Sequence, residues 1–342
     1  MTIRIGILSF AHLHAEGYAA LLKTMPGVEL IGLADQNAAR GAYFADQFGI
    51  RQFDTAHDLL NERPHAVIIT SENAYHLPIA RYAAAAGAHV LCEKPLATRV
   101  EDARALVDAC AEANVSLMTA FPMRFSPPAI QVKRAIDSGV LGQVYGVNST
   151  NQGMLPEAHQ SPDAPAFLDR GWFTDPKLAG GGALTDHLVH LVDLLRWFFA
   201  CEVTEVYARS SRLLHGERVA VETVGIALIT FENGAFASID ASWSKPAHYP
   251  TWGGLTLEIV ASGGLVVMDA FRQAMQVYSG AVGRGTRAFW GSDANAGMLA
   301  EFVSAVRDGR PPAITGEDGL RAVEVVSAAY QSAQTGEVVR LR

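Results

Sequence analysis

The turn that should carry glycines has none. A strand that runs straight into a helix commonly bears G-x-G-x-x-G, whose small residues let a nucleotide diphosphate approach the backbone. In "GILSFAHLHAEG", Gly6 to Gly17, those three positions read Ser9, Ala11 and His14. Cysteine is scarce as well. Cys92, Cys110 and Cys201 lie far apart with no C-x-x-C pair, which excludes a disulfide framework and predicts reduced, buried thiols of a cytoplasmic protein. Basic residues are outnumbered, 27 Lys and Arg against 35 Asp and Glu, and the net charge of -8 argues against a nucleic-acid partner. No apolar run is long enough to span a membrane; the one at 188–199 is broken by Asp193 and Arg196. The first residues lack the basic stretch, apolar core and cleavage site of a signal peptide, so none is expected. Repeats and low-complexity tracts are absent too.

What is present is a globular composition, 49% hydrophobic and 18% charged over 342 residues, enough for about two domains. The rhythm changes along the chain. Up to about residue 121, short apolar runs predict strands at 3–8, 28–34, 66–70, 89–92 and 116–120. Helical stretches alternate with them at 15–23, 38–48, 78–86 and 100–113. Apolar strands joined by helices predict a parallel sheet covered on both faces, with ligands bound at its carboxyl edge. After about residue 142, strands are expected at 143–150, 202–209, 222–231, 235–242, 256–261, 265–269 and 275–278. Asn233-Gly234 provides a hairpin signal, one helix is expected near 183–199, and two close the chain at about 295–308 and 317–334. The fold class is therefore α/β: a doubly wound sheet over 1–122, then an α+β domain over 123–342 with a large, open, mostly antiparallel sheet.

Three segments carry chemistry. Asp35 closes the second strand, where an acid accepts hydrogen bonds from the ribose of a dinucleotide and repels a 2'-phosphate. No arginine stands immediately beside it in sequence, which favours NAD over NADP. Glu93-Lys94-Pro95 follows the fourth strand, and the proline restricts the direction of Lys94. In "GGGALTDHLVH", Gly180 to His190, the glycines permit a tight turn into a helix. Asp186 and His190, four apart, share a face there, with His187 about 100° round. A carboxylate and an imidazole so placed can move a proton together.

These segments, with "LCEKPLAT", "FPMRFSPP", "SENAYH" and "LVDLLRW", resemble the Gfo/Idh/MocA family of oxidoreductases over nearly the whole chain. The resemblance implies a Rossmann domain binding NAD or NADP and a second domain that associates into homodimers or homotetramers through its sheet. It implies hydride transfer between nicotinamide and a hydroxyl or carbonyl of a sugar, cyclitol or related polyol. Lys94, Asp186 and His190 fall on the family's catalytic positions. Ser9, Phe10, Ala11, His12, Asp35, Ser71, Asn73, His76, Glu93 and Lys94 are the expected cofactor contacts; Lys94, Arg124, Trp172, His187 and His190 are the expected substrate contacts. The chain departs from the family in its missing glycines and in Leu188, where members commonly have glycine.

Two rival readings follow from those departures. His12-x-His14 at the end of a first strand resembles the opening of metal-dependent amidohydrolase barrels, with Asp186 and His190 as further ligands, though the chain does not show eight βα units. A dehydrogenase-like binding protein without catalysis is the other, and the retained Lys94, Asp186 and His190 argue against it. On the dehydrogenase reading Ser9 keeps a negative φ, and Ala11 leaves the diphosphate an approach. His12 and His14, two apart near a helix start, point different ways. No metal is then expected between them. Tyr207, Ile239 and Trp243 are the expected apolar contacts on the outer face of the second sheet.

Overall fold

The computed structural model describes residues 1–156, 165–251, 253–272, 274–279, 284–289 and 291–341. Its first layer is a six-stranded parallel sheet of β1 (Ile3–Leu8), β2 (Val28–Ala34), β3 (Gln52–Phe53), β4 (Ala66–Ile69), β5 (His89–Cys92) and β6 (Leu117–Thr119). The order is β3-β2-β1-β4-β5-β6. The order reverses between β1 and β4, and a doubly wound sheet opens its ligand crevice at such a switch point. The strands are apolar on both faces because both are covered. Ile3, Ile5 and Ile7 enter one core while Leu8, Val67 and Ile69 enter the other. The covering helices are α1 (His14–Thr24), α2 (Ala38–Phe48), α3 (Ala56–Asn61), α4 (His76–Ala85) and α5 (Val100–Glu112). Asn37 caps α2 through the Arg40 amide, and Gly49, with φ of 56°, ends it.

After α6 (Pro127–Asp137) the chain builds a seven-stranded sheet in the order β12-β11-β7-β10-β9-β8-β15. Its members are β7 (Val144–Gly153), β8 (Val203–Ser211), β9 (Val224–Phe231), β10 (Phe236–Asp240), β11 (Gly253–Ala261), β12 (Gly264–Asp269) and β15 (Val339–Arg340). Only the β7–β10 pair is parallel. β13 (Ala274–Ser279) and β14 (Arg284–Phe289) form a separate hairpin. The helices of this half are α7 (Pro176–Ala179), α8 (Val189–Phe199), α9 (Ala294–Asp308) and α10 (Gly316–Thr335). Two open sheets replace the barrel of the hydrolase reading. No helix among the described residues is long and apolar enough to cross a membrane.

The sequence pattern missed β3, α3, α6, α7, β14 and β15. Pro127 and Pro128 open α6, where their missing amides cost nothing. β9 starts at Val224 rather than 222. The Glu222 carboxylate is committed elsewhere, accepting from the amides of Gly182 and Leu184 and from the Tyr330 hydroxyl.

Two expected surface residues are interior. Ile239 and Trp243 are both fully buried. Along β10 exposure alternates with a period of two, and Ile239 falls in the inward register. The outer face instead shows Ile226, Leu228, Phe236, Val260, Leu265 and Val267, with Tyr207 half-buried.

Arg124 is also not where a substrate contact would be. It lies on a 3-10 turn after β6 and forks onto Asp193 of α8, Nε to Oδ2 at 2.9 Å and Nη2 to Oδ1 at 2.6 Å. Nη2 also reaches Asp318 at 3.0 Å, a carboxylate that closes the capping box of α10 with Thr315. Arg196 joins Asp318 to Glu202. The guanidinium therefore ties the first layer to α8 and α10. Removing one partner of such a buried pair costs about 3–5 kcal/mol, because the other charge is left without compensation.

Candidate active site

Lys94 leaves the carboxyl end of β5 and crosses to the second domain. Its ammonium donates to Asp186 Oδ1 at 2.6 Å and to the Asp186 carbonyl at 3.1 Å. Asp186 sits on a π-helical turn, Leu184–Leu188, that leads into α8. The glycine run before it does two jobs. Gly180 has φ of 86°, and a Cβ on Gly181 would run into the Tyr330 hydroxyl. The π turn adds a residue to one turn of helix and re-aims the side chains around it. Asp186 Oδ2 accepts from the Trp243 indole at 3.0 Å and faces His187 Nε2 at 3.0 Å; His187 Nδ1 bonds the Asn151 carbonyl at 2.8 Å. Burial would raise the Asp186 pKa, but Lys94 and His187 outweigh it and hold the carboxyl well below its usual range. His190 lies in the same cavity, about 280 Å³, and its Nδ1 has no hydrogen-bond partner among the described residues. Burial, then Lys94 and His187, push the His190 ring well below its ordinary pKa. The cavity thus holds a charged lysine–aspartate pair beside a neutral imidazole.

At the switch point the nucleotide turn is filled by protein. Ser9 has φ of +77°, against the expectation of a negative value. The first glycine position keeps its left-handed backbone even with a side chain on it, and hydrogen bonds offset the strain. The Ser9 hydroxyl donates to Asp35 at 3.3 Å and accepts from the Ala11 amide at 3.2 Å. Asp35 is 6% exposed and fully engaged. It accepts from the Phe10 amide at 2.6 Å, the Asn37 amide at 2.8 Å and the Arg40 guanidinium at 2.8 and 2.9 Å. Arg40 is thus beside the acid in space although five residues from it in sequence. Phe10 stacks on Phe44.

A segment of the second half lies over this turn. Trp172 donates its indole N–H to the Ala11 carbonyl at 3.2 Å and stacks on Phe173. Asn73 bonds the Ala179 carbonyl, and Arg170 pairs with Glu16. Trp172 therefore belongs to the nucleotide turn and does not line the cavity, contrary to its expected role as a substrate contact. Ser71 is buried, and His76 packs among the carbonyls of Ser71, Pro95 and Leu96.

His12 and His14 do not diverge. Their ring centroids are 4.3 Å apart, and both rings face Glu93. The helix begins only at His14, so His12 precedes it and helical spacing does not govern the pair. His14 Nδ1 bonds Glu93 Oε1 at 3.0 Å, and Tyr18 donates to the same oxygen at 2.6 Å. Burial would raise Glu93, yet the two rings and the hydrogen bonds from His14 and Tyr18 hold it below the usual carboxylate range. Tyr18 carries no sequence signal beyond lying one helical turn after His14 in α1.

Comparison with known proteins agrees with this architecture. Residues 3–121 match the model of the oxidoreductase family with an NAD-binding Rossmann fold, and residues 129–267 match that of the GFO/IDH/MocA C-terminal domain. The chain belongs to the Gfo/Idh/MocA oxidoreductase family. Among the members it resembles is myo-inositol 2-dehydrogenase of Thermotoga maritima, 26% identical over 99% of this chain and 98% of that one. Another is D-xylose 1-dehydrogenase (NADP(+)) 2 of Haloferax volcanii, 28% identical over 92% of each. A solved structure of GenD2 from gentamicin A biosynthesis, in complex with NAD, is 29% identical, with a TM-score of 0.86 over 100% of this chain and 97% of that one.

The residues at the strand ends of this Gfo/Idh/MocA chain fit a dinucleotide in kind. Asp35 closes β2, the amino end of α1 meets the turn, and Lys94 closes β5. The turn does not offer itself freely, because Trp172 and Phe173 stand over it and Arg40 holds the acid. Cover and dinucleotide are expected to compete for the turn. Trp172→Ala removes one hydrogen bond and one aromatic stack from the closed arrangement, together about 1–2 kcal/mol. The dinucleotide Kd, measured by calorimetry, should fall about tenfold. An unchanged or weaker Kd would show that Trp172 does not oppose binding.

Proposed function

We propose that the chain is an NAD-linked dehydrogenase or reductase acting on a hydroxyl or carbonyl carbon of a sugar, cyclitol or related polyol. On this reading residues 1–122 hold the dinucleotide and 123–342 the substrate. The observation behind it is the Lys94–Asp186 pair beside His190 in one cavity at the carboxyl edge of the parallel sheet. That cavity is at the small end of ligand pockets, about 300–1,000 Å³, which suits one ring better than a chain of them. Its polar groups, Asn151, His187 and Asn295 besides the three named, stand among apolar walls such as Met123 and Leu255 and offer hydrogen bonds to a polyhydroxylated ring. Relatives named for myo-inositol and D-xylose support the same class.

The dinucleotide, when bound, supplies or accepts the hydride. In the oxidative direction neutral His190 takes the hydroxyl proton, and it returns that proton on reduction. The Lys94 ammonium holds the same oxygen as charge develops on it, and Asp186 keeps the ammonium aimed. His187, fixed between Asp186 and Asn151, contacts substrate hydroxyls. Ser9 to His12, Asp35, Ser71, Asn73, His76 and Glu93 make up the cofactor side.

Lys94→Ala and His190→Ala should each lower turnover by at least about a hundredfold. Cofactor binding, read by calorimetry, should stay within about twofold. A base works above its own pKa, and that of His190 is lowered. The kcat/KM for oxidation should therefore hold level down through pH 6.5 and fall only below it. A loss centred at or above pH 6.5, or full turnover in the alanine variant, would remove His190 from the mechanism.

NAD is the proposed form because a carboxylate, Asp35, ends β2. Arg40 neutralises part of that charge, so the margin over NADP is modest. NAD should raise the melting temperature more than NADP at equal concentration, and Asp35→Ser should narrow the difference. A larger shift with NADP on the unaltered protein would overturn the assignment.

A homodimer or homotetramer through the outer face of the second sheet is also proposed. Ile226, Leu228 and Phe236 sit exposed on its adjacent strands β9 and β10. Sedimentation equilibrium at micromolar concentration should show a dimer or larger, and Leu228→Lys should shift it towards monomer. A monomeric unaltered protein would contradict the proposal. The described cysteines, all unpaired, suit the reducing cytoplasm.

A further inference from the structure

We propose that His12, His14 and Glu93 form a binding site for one divalent transition-metal ion of the zinc class, at the head of the catalytic cavity. The three side chains come from two strand ends of the same sheet, and one potential ligand atom from each lies within 4.8 Å of the other two. The shortest separation is 3.0 Å, His14 Nδ1 to Glu93 Oε1, and His12 Nε2 stands 4.0 Å from Glu93 Oε2. Ligands about 2.1 Å from a tetrahedral zinc lie about 3.4 Å from one another, so a trio within 4.8 Å closes on an ion by drawing in by up to about 1.4 Å.

Two further observations point to a cation. His12 is 2% exposed, and its Nε2, aimed at Glu93, has no hydrogen-bond partner among the described residues. A buried polar atom left unpaired is costly, and a metal–nitrogen bond would satisfy it. Glu93 is fully buried, and among the described residues no lysine or arginine forms a salt bridge with it; its ionic neighbours are the two imidazoles. Burial leaves a carboxylate in need of positive charge beside it, which a divalent ion would supply. Two imidazoles and a carboxylate are a borderline set that suits zinc.

The supporting shell is in place. Tyr18 donates to Glu93 Oε1 at 2.6 Å, and the Lys94 amide donates to Oε2 at 3.1 Å, fixing the carboxylate. Proton accounting is simple. The His14 amide donates to His12 Nδ1 at 3.2 Å, which leaves the ring proton on Nε2. Loading moves that proton to Nδ1, which breaks this long hydrogen bond and sets two N–H donors against each other, a cost that the metal–nitrogen bond must exceed. On His14 the proton likewise moves from Nδ1 to Nε2. With one proton on each ring at the start, none need leave. His14, 23% exposed at its side chain, is the one member of the trio that lines the catalytic cavity. The fourth coordination position therefore faces that cavity, the pattern of three protein ligands and one open place.

Metal content tests this without reference to turnover. The protein is stripped with chelator, reloaded with zinc or cobalt(II), desalted and assayed by mass spectrometry. The unaltered chain should retain about one ion per chain, and cobalt should give the strong visible bands of a four- or five-coordinate site. His12→Ala and His14→Ala should retain less than one-tenth of that while melting cooperatively. Less than one-tenth of an ion in the unaltered chain, or equal retention in both folded variants, would overturn the proposal. Should neither variant fold, X-ray absorption on the zinc-loaded unaltered protein decides. A shell of two imidazole nitrogens with oxygen supports the site, and a sulfur-containing or all-oxygen shell overturns it. Dinucleotide binding, read separately by calorimetry, keeps a failure here distinct from a failure of the dehydrogenase assignment.

Discussion

Lys94 and Asp186 meet at 2.6 Å between the two sheets, with side chains only 5% and 12% exposed. Neither charge is tolerable there alone, since a lone buried ion costs several kcal/mol. Each therefore requires the other, and the domains that carry them are held at one separation. Everything else in the cavity is set by that separation. Trp243 and His187 both reach Oδ2 of Asp186, on the π turn that leads into α8. His190, one turn further on, is pushed below its ordinary pKa by burial first, with Lys94 and His187 adding to the effect and Asp186 opposing it. The ion pair is thus a strut, and its lysine reinforces what burial does to the imidazole beside it.

Glu93 and Lys94 are adjacent, yet they serve different neighbours. Successive side chains at a strand end leave in opposite directions. Glu93 goes to α1, where Tyr18 and His14 hold it; Lys94 goes to the start of α8. One dipeptide fastens the nucleotide turn and the catalytic helix to the same strand. The segment over the turn is linked to that helix through the chain itself. Trp172 and Phe173, α7, the three glycines and Asp186 follow one another within fifteen residues. The positive φ at Gly180 marks the joint between cover and catalytic helix.

What could be read from the sequence was what period and punctuation encode. The parallel half was legible because its strands are apolar throughout and its helices stop at Gly49 or Gly87. The Lys94, Asp186 and His190 set was legible because E-K-P and the glycine run mark strand and helix ends. Pairings that cross between elements were not legible. Arg40 reaches Asp35 around a strand-to-helix corner, and Arg124 reaches Asp193 across 69 residues. No local pattern distinguishes either from a solvated arginine. Ile239 was placed outward through a slip of one residue in strand register, which reverses every face assignment along a strand. The divergence expected of His12 and His14 assumed helix geometry for both. The helix starts two residues too late for that assumption, and boundaries are the part of an element that sequence defines least.

The missing glycines then acquire a physical meaning. A glycine-rich turn is open because nothing but backbone stands there. Here Ser9 keeps the backbone shape glycine would have, and its hydroxyl joins Asp35 and Arg40 in a closed polar group. Phe10 fills the core beneath, Ala11 gives its carbonyl to Trp172, and His12 and His14 turn inward to Glu93. Each replacement substitutes a protein contact for space that the glycine pattern leaves to a phosphate. The turn has therefore not decayed at random, for every substituted side chain has a partner or a packing place except His12 Nε2. That one nitrogen, without a partner among the described residues and set against the buried Glu93 carboxylate, is where the closed arrangement remains incomplete.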